Sequence, residues 1–316
     1  MSKSKISVLG SLIYDCVIWA DRLPTKGETV IGYKNGFFPG GKGANQAVQA
    51  ARIGADVAMI GKVGNDQTGD HLINELIKDG INVENISKDE KTPTSTCAIF
   101  VDNNGDNMIV TAPQANLCMK KSDIDAALSK IKEADVFLTQ LETNYDVIYY
   151  ALELAKISGI TTVLNPAPAG DVDTDIFQYV DYITPNETEA EHLTGIYREG
   201  YSLDEWAEKA SNKFLDMGIK NVIITLGEKG ASFCSKDKLF FQPPYKVDAV
   251  DSTAAGDSFN GAFAYALSLN MGIEEAIKLG CAAGAITASK EGAQTSIPKK
   301  EELLDFMDKA DDKKTI

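Results

Sequence analysis

Apolar positions along this chain follow two alternating rhythms, short continuous runs and longer stretches with apolar residues three and four apart. Ile6 to Leu9 is the first run and ends at Gly10-Ser11, as a buried strand ends in a turn. Val57 to Ile60, Val136 to Leu141, Thr161 to Leu164, Tyr182 to Thr184 and Asn221 to Leu226 repeat it. Helical spacing fills intervals between them, through Ala50 and Ala51, Thr68 to Lys78, Asp146 to Ile157, through Ala266 and Leu267, Glu274 to Ser289, and near Glu301 to Lys309. Strands and helices in alternation predict a doubly wound, mainly parallel sheet.

Two stretches break the rhythm. Thr29 to Phe38 mixes β-formers with glycines, and Thr94 to Thr111 reads as a hairpin turning at Asn103-Asn104-Gly105. They supply antiparallel strands that a parallel sheet does not need, and predict a small lid made of two excursions, about 13–40 and 94–112. No repeat or low-complexity linker divides the chain, so one domain is expected over 1–316.

Composition narrows the class. The 316 residues are 44% hydrophobic and 24% charged, as in an ordinary globular enzyme. A formal charge of −15 argues against a nucleic-acid or anionic-membrane surface, so any phosphate must be met by locally built donors. Cys16, Cys97, Cys118, Cys234 and Cys281 contain no C-x-x-C pair, and with only His71 and His192 they assemble neither a disulfide framework nor a zinc site. The N-terminal apolar run is too short for a signal peptide and no segment approaches membrane-spanning length, so a cytoplasmic enzyme is expected.

Chemistry concentrates in two small-residue stretches. In Asp251 to Gly261, Ala254, Ala255 and Gly256 precede a helical pattern, and free amides at a helix start attract an anion. Asp257 lies among them, where it is either a helix cap or a base that accepts a proton during phosphoryl transfer. The other stretch, Pro39-Gly40-Gly41-Lys42-Gly43-Ala44-Asn45-Gln46-Ala47, opens a second helix, and lacks the spacing of a Walker A or dinucleotide-binding loop. Asp15, just past the first strand, is a candidate for hydroxyl recognition. Asn186 and Glu189 open an acidic helix, as dipole partners or as holders of the waters around Mg²⁺, and Gly227 to Gly230 is a glycine turn suited to phosphate or to a plain hairpin.

With these stretches in hand the chain resembles the ribokinases of the PfkB sugar-kinase family. The likeness covers nearly the whole length and rests on Gly40 to Ala47, Asn165-Pro166-Ala167-Pro168, Pro185-Asn186-Glu187-Thr188-Glu189 and Asp251 to Asn260, in that order. It implies a three-layer α/β sandwich with a β-sheet lid, ATP with Mg²⁺, phosphorylation of D-ribose at its 5-hydroxyl, and a homodimer joined through the lids. Carried over, it makes Asp257 the base and the amides of Ala254, Ala255 and Gly256 the anion hole. Asp15, Gly41, Lys42, Asn45 and Glu142 would hold the sugar, and Asn186, Thr225, Gly227, Gly230 and Gly256 the nucleotide. Glu189 would organise Mg²⁺ through water, and Asp251, Thr253, Thr287, Lys290, Gly292 and Ser296 would surround an activating K⁺.

One position departs from the family. Ribose-using relatives carry Asn where this chain has Ile13, so one hydrogen bond to a sugar hydroxyl is missing and 2-deoxyribose becomes an alternative substrate. A nucleoside kinase and a catalytically silent sugar-binding protein are the remaining alternatives. The Gly-Gly-Lys-Gly-Ala-Asn-Gln stretch speaks against the first and an intact Asp257 loop against the second.

Overall fold

A computed structural model describes residues 4–312, so the expected unit of 1–316 runs past the described residues at both ends. The first half of the chain gives β1 (Lys5–Leu9), β2 (Ile13–Ala20), β3 (Gly32–Gly40), α1 (Lys42–Arg52), β4 (Asp56–Gly64), α2 (Gln67–Lys78) and β5 (Asn82–Asp89). It continues through β6 (Thr96–Val101), β7 (Asn107–Ala112), a short α3 (Gln114–Leu117), α4 (Lys121–Glu133), β8 (Val136–Thr139), α5 (Tyr145–Ile157) and β9 (Thr161–Leu164). The second half adds β10 (Tyr182–Ile183), α6 (Glu187–Thr194), α7 (Leu203–Asp216), β11 (Asn221–Thr225), β12 (Ala231–Ser235), β13 (Leu239–Gln242), α8 (Ala255–Ser268), α9 (Ile273–Ala288) and α10 (Lys300–Asp312).

Nine strands form the main sheet in the order 13, 12, 11, 10, 9, 8, 1, 4, 5, parallel except where β12 and β13 finish it. Alternate side chains leave the strands in opposite directions, which builds two cores. Val136 and Leu138 of β8 join the core under α1, α8 and α9, whereas Phe137 between them joins the core under α4, α5 and α7. The result is the expected three-layer α/β arrangement around a mainly parallel sheet.

The lid strands form a separate sheet in the order β3, β2, β6, β7. The sequence predicts antiparallel strands here, and β2–β3 and β6–β7 are antiparallel, but the central pair β2–β6 is parallel. The reason is topological, because β2 and β6 leave the main sheet from two parallel strands and run out in the same direction. Asp15 is also displaced from its expected loop: it is the third residue of β2.

Four other elements, β5, α4, α7 and the β12–β13 pair, escape the apolar-run reading. β5 is an edge strand whose sequence, Asn-Val-Glu-Asn-Ile-Ser-Lys-Asp, has low β-propensity and is ordered by pairing with β4. The start of α7 was legible: Ser202 and Glu205 form a reciprocal capping box ahead of buried Trp206, Ala207, Ala210 and Phe214.

Candidate active site

The carboxyl ends of the central strands, the head of α1, the head of α8 and the inner face of the lid enclose a cleft of about 1120 Å³. Gly41 starts α1 at φ 91°, and a Cβ there would lie 2.8 Å from the Ser11 carbonyl and 2.9 Å from the Ile13 amide, so only glycine lets the chain turn so tightly. Glu142, beyond the end of β8, secures the turn. Its Oε2 accepts from Ser11 Oγ at 2.5 Å and from the Lys42 amide at 3.0 Å. Residues from three strand ends are thereby tied to the first turn of one helix.

Asp257 is the third residue of α8 and is buried. A helix cap it is not: Ala254 occupies that place, and the Asp257 carboxylate turns away to accept from Asn45 Nδ2 at 2.9 Å and Gln46 Nε2 at 3.0 Å. Ala254 itself sits in the left-handed region at φ 61°, which costs an alanine roughly 1–2 kcal/mol. In that turn the Ala255 amide donates to the Ser252 carbonyl at 3.2 Å, and no such partner takes the Gly256 amide. Of the three amides expected to form an anion hole, that of Ala255 is thus taken while those of Ala254 and Gly256 are not, and a Cβ added at Gly256 would meet nothing within 4 Å.

Asp15, Lys42, Asn45, Glu142 and Asp257 all line the cleft, together with Ile13, which is only 5% exposed. Charge is concentrated there. Burial first, and then the carboxylates of Glu142 and Asp257, push the Asp15 pKa up to about 7. Burial opposes the Lys42 ammonium, but Asp257, Glu142 and Glu189 outweigh it and its pKa rises. At the far end Asn186, Thr225 and Glu189 also line the wall.

Asn186 caps α6 and forms a reciprocal box with Glu189: the Glu189 amide donates to Asn186 Oδ1 at 2.8 Å, and the Asn186 amide to Glu189 Oε2 at 2.9 Å. Burial raises the Glu189 pKa, aided by Asp257 and opposed by the Asn186 amide and Lys42. Among the described residues no three His, Cys, Asp or Glu side chains are close enough to hold a metal ion. A lone carboxylate on this wall fits a divalent cation that keeps most of its own waters better than one held in a cage of protein ligands.

Gly227 and Gly230 lie just past Thr225, in a tight turn between the antiparallel strands β11 and β12 where the Leu226 amide donates to the Gly230 carbonyl at 2.8 Å. Of the expected K⁺ set, Thr253 lines the cleft. Asp251 accepts from the amides of Thr253 at 2.9 Å and Gly292 at 3.0 Å, which joins the two segments and, against its burial, lowers its pKa. Thr287 Oγ1 meets Ser258 Oγ at 2.6 Å, Ser296 Oγ donates to the Ala293 carbonyl at 2.6 Å, and the Lys290 ammonium pairs with Glu302 at 2.6 Å. Hard oxygen donors and one carboxylate are compatible with an alkali cation.

Sequence reasoning left several residues of the site without a role. Gln46, Gln140, Asn165, Thr184 and Asn260 are buried and hydrogen-bonded around Asp257, and the last three also line the cleft. A signal existed in Gln46, an amide on the apolar face of α1 between Ala44, Ala47 and Val48.

Residues 3–300 match the profile of the pfkB family carbohydrate kinases. The chain is 40% identical over 308 residues to a ribokinase of Haemophilus influenzae, covering 98% of this chain and 100% of the relative. It is 35% identical over 303 residues to a deoxyribokinase of Salmonella typhi, covering 96% and 98% respectively. The structure of an Arabidopsis thaliana ribokinase complexed with ribose and ATP superimposes with a TM-score of 0.90 at 26% identity, over 96% of this chain and 99% of that one.

Proposed function

This chain belongs to the pfkB family of carbohydrate kinases, and from that premise we propose that it transfers the γ-phosphoryl group of ATP to the 5-hydroxyl of D-ribose. The observation that carries the reading is Asp257, a buried carboxylate held by Asn45 and Gln46 at the wall of a cleft beside the free amide of Gly256. Asp257 accepts the hydroxyl proton as the sugar oxygen forms its bond to the γ-phosphorus. The bond from that phosphorus to the β–γ bridging oxygen breaks, and its electron pair leaves with ADP. Charge developing on the phosphoryl oxygens meets the Gly256 amide and the head of α8.

Asp15, Gly41, Lys42, Asn45 and Glu142 hold the sugar in this reading, and the free Oδ1 of Asn45, buried without a partner, is an acceptor waiting for a hydroxyl. Asn186, Thr225, Gly227, Gly230 and Gly256 serve the nucleotide in the same reading, Gly227 and Gly230 from the turn that follows Thr225. The divalent cation that accompanies ATP neutralises its phosphates, and Glu189 holds that cation's waters. K⁺ is assigned to Asp251, Thr253, Thr287, Lys290, Gly292 and Ser296, the lysine through its carbonyl.

A second substrate, 2-deoxyribose, is favoured by one observation: Ile13 presents a buried apolar wall at the cleft. The similarity to a deoxyribokinase accords with it. The lid carries exposed Tyr33, Phe37, Met108 and Val110, an apolar surface that a second copy of the chain would cover in a homodimer. All five cysteines are unpaired and, among the described residues, no helix is long and apolar enough to cross a membrane. Both facts agree with a cytoplasmic enzyme.

An ADP-release assay against D-ribose, 2-deoxy-D-ribose, other pentoses, hexoses and nucleosides tests the reading, with the product's phosphorylated carbon identified by NMR. Turnover greatest on a hexose or nucleoside, or phosphate on another carbon, overturns it.

A further inference from the structure

Two consecutive side chains of α1 grip Asp257, and they differ in kind. Asn45 faces the cleft, while Gln46 is wholly buried behind it. Gln46 Nε2 donates one hydrogen to Asp257 Oδ1 at 3.0 Å and the other to Asn165 Oδ1 at 3.0 Å, and its Oε1 accepts from Gln140 Nε2 at 2.7 Å. Both hydrogens and the oxygen of this amide are engaged.

The orientation of the amide is dictated from both sides. An ionised carboxylate only accepts, so nitrogen must face Asp257. Asn165 cannot offer a donor in return, because its Nδ2 is committed to the Thr184 carbonyl at 2.9 Å. Thr184 Oγ1 then donates to Asn260 Oδ1 at 2.5 Å, and Asn260 Nδ2 to the Gly256 carbonyl at 2.8 Å. A buried chain of amides thus runs from the end of β8 through α1, β9 and β10 into α8, and closes on the residue before Asp257. Reversing the Gln46 amide would set its oxygen against the Asp257 carboxylate and its nitrogen against Gln140 Nε2.

Close helix packing makes the reach possible. Gly261 lies one turn beyond Asp257, and a Cβ there would stand 2.5 Å from the Gln46 carbonyl and 2.7 Å from Gln49 Cβ. α1 and α8 can therefore approach backbone to backbone.

We propose that Gln46 is a positioning residue for phosphoryl transfer, holding the Asp257 carboxylate in the one plane that leaves a lone pair aimed at the sugar hydroxyl. The proposal rests on Asp257 being the base. With Asn45 on one oxygen and Gln46 on the other, the carboxylate cannot rotate. The charged groups that face it are Asp15 from β2, Glu142 after β8, Glu189 from α6, and Lys42 at the head of α1.

Three variants test this. Gln46→Met keeps the length and removes the donors; kcat should fall about tenfold to a hundredfold, as for a lost hydrogen bond to a charged group, with KM for ATP unchanged. Gln46→Glu keeps the shape. It should be slow at alkaline pH and recover relative to wild type as the pH becomes mildly acidic, because a protonated carboxyl again donates to Asp257. Wild-type kcat in Gln46→Met, or a flat activity ratio for Gln46→Glu across pH, overturns the proposal, and the second readout decides if the methionine variant does not fold. Asp257→Asn separates the two readings: if it turns over normally the base assignment has failed, whatever Gln46 does.

Discussion

Gly40 leaves its neighbour Asp15 just enough room: a Cβ added to Gly40 would overlap Oδ2 of Asp15 and lie 3.0 Å from its Cγ. The two belong to adjacent lid strands, where Gly40 pairs with Ile13 two residues before Asp15. Gly40→Ala is expected to swing the Asp15 carboxylate out of the cleft and raise KM for the sugar by about tenfold or more, the effect of losing a charged hydrogen bond, while KM for ATP holds. Calorimetric titration with sugar and nucleotide separately checks it, and unaltered sugar affinity would remove Asp15 from the sugar site.

Asp257→Asn removes a proton acceptor and almost no volume. Turnover should drop by about two to four orders of magnitude with sugar and ATP binding retained. A variant that keeps more than about a tenth of wild-type kcat is incompatible with a general base at that position.

Asp15, raised from 3.8 to about 7, gives two pH dependences of opposite sign. As an acceptor for a sugar hydroxyl it must be ionised, so kcat/KM for sugar should rise as pH increases through about 7. Stability goes the other way. Between 3.8 and about 7 the folded protein holds a proton that the unfolded chain has released, so this contribution is full below 3.8 and lost as pH rises through the folded value. Asp15→Asn should flatten both profiles and raise the thermal midpoint at alkaline pH. Glu142→Gln should move the kinetic limb downward by removing a neighbouring charge.

Asp251 joins the turn before α8 to the turn at Gly292, so a cation seated between them would steady the Gly256 amide. Replacing K⁺ by Na⁺ at constant ionic strength should lower kcat. Equal rates in the two salts would withdraw K⁺ from the account.

Ile13 presents hydrocarbon where a polar residue could satisfy a sugar hydroxyl. An apolar wall leaves nothing unpaired when that hydroxyl is absent, so 2-deoxyribose should be used well, and ribose should be disfavoured by about a hundredfold at most. Ile13→Asn should shift the kcat/KM ratio toward ribose. An unchanged ratio shows that Ile13 does not select the sugar.

Local pattern determined a great deal of this protein. Side-chain periodicity is a property of neighbouring residues, so the runs at Ile6, Val136, Thr161 and Asn221 announce buried strands, and Ala254 to Gly256 announce an amide-rich helix start, before any contact is known. The identity of Asp257 as something other than a cap, however, depends on Asn45 and Gln46, more than two hundred residues away in sequence. Glu142 likewise acquires its place from Ser11 and Lys42, and β2 finds its parallel partner β6 far along the chain. Polar residues carry no periodic signature of their own, and whether a buried Gln is satisfied is decided by groups that only packing brings within about 3 Å. For that reason the strands, the helices and the two glycine stretches belong to the sequence, whereas the plane of the Asp257 carboxylate and the rise in the Asp15 pKa belong to the tertiary structure alone.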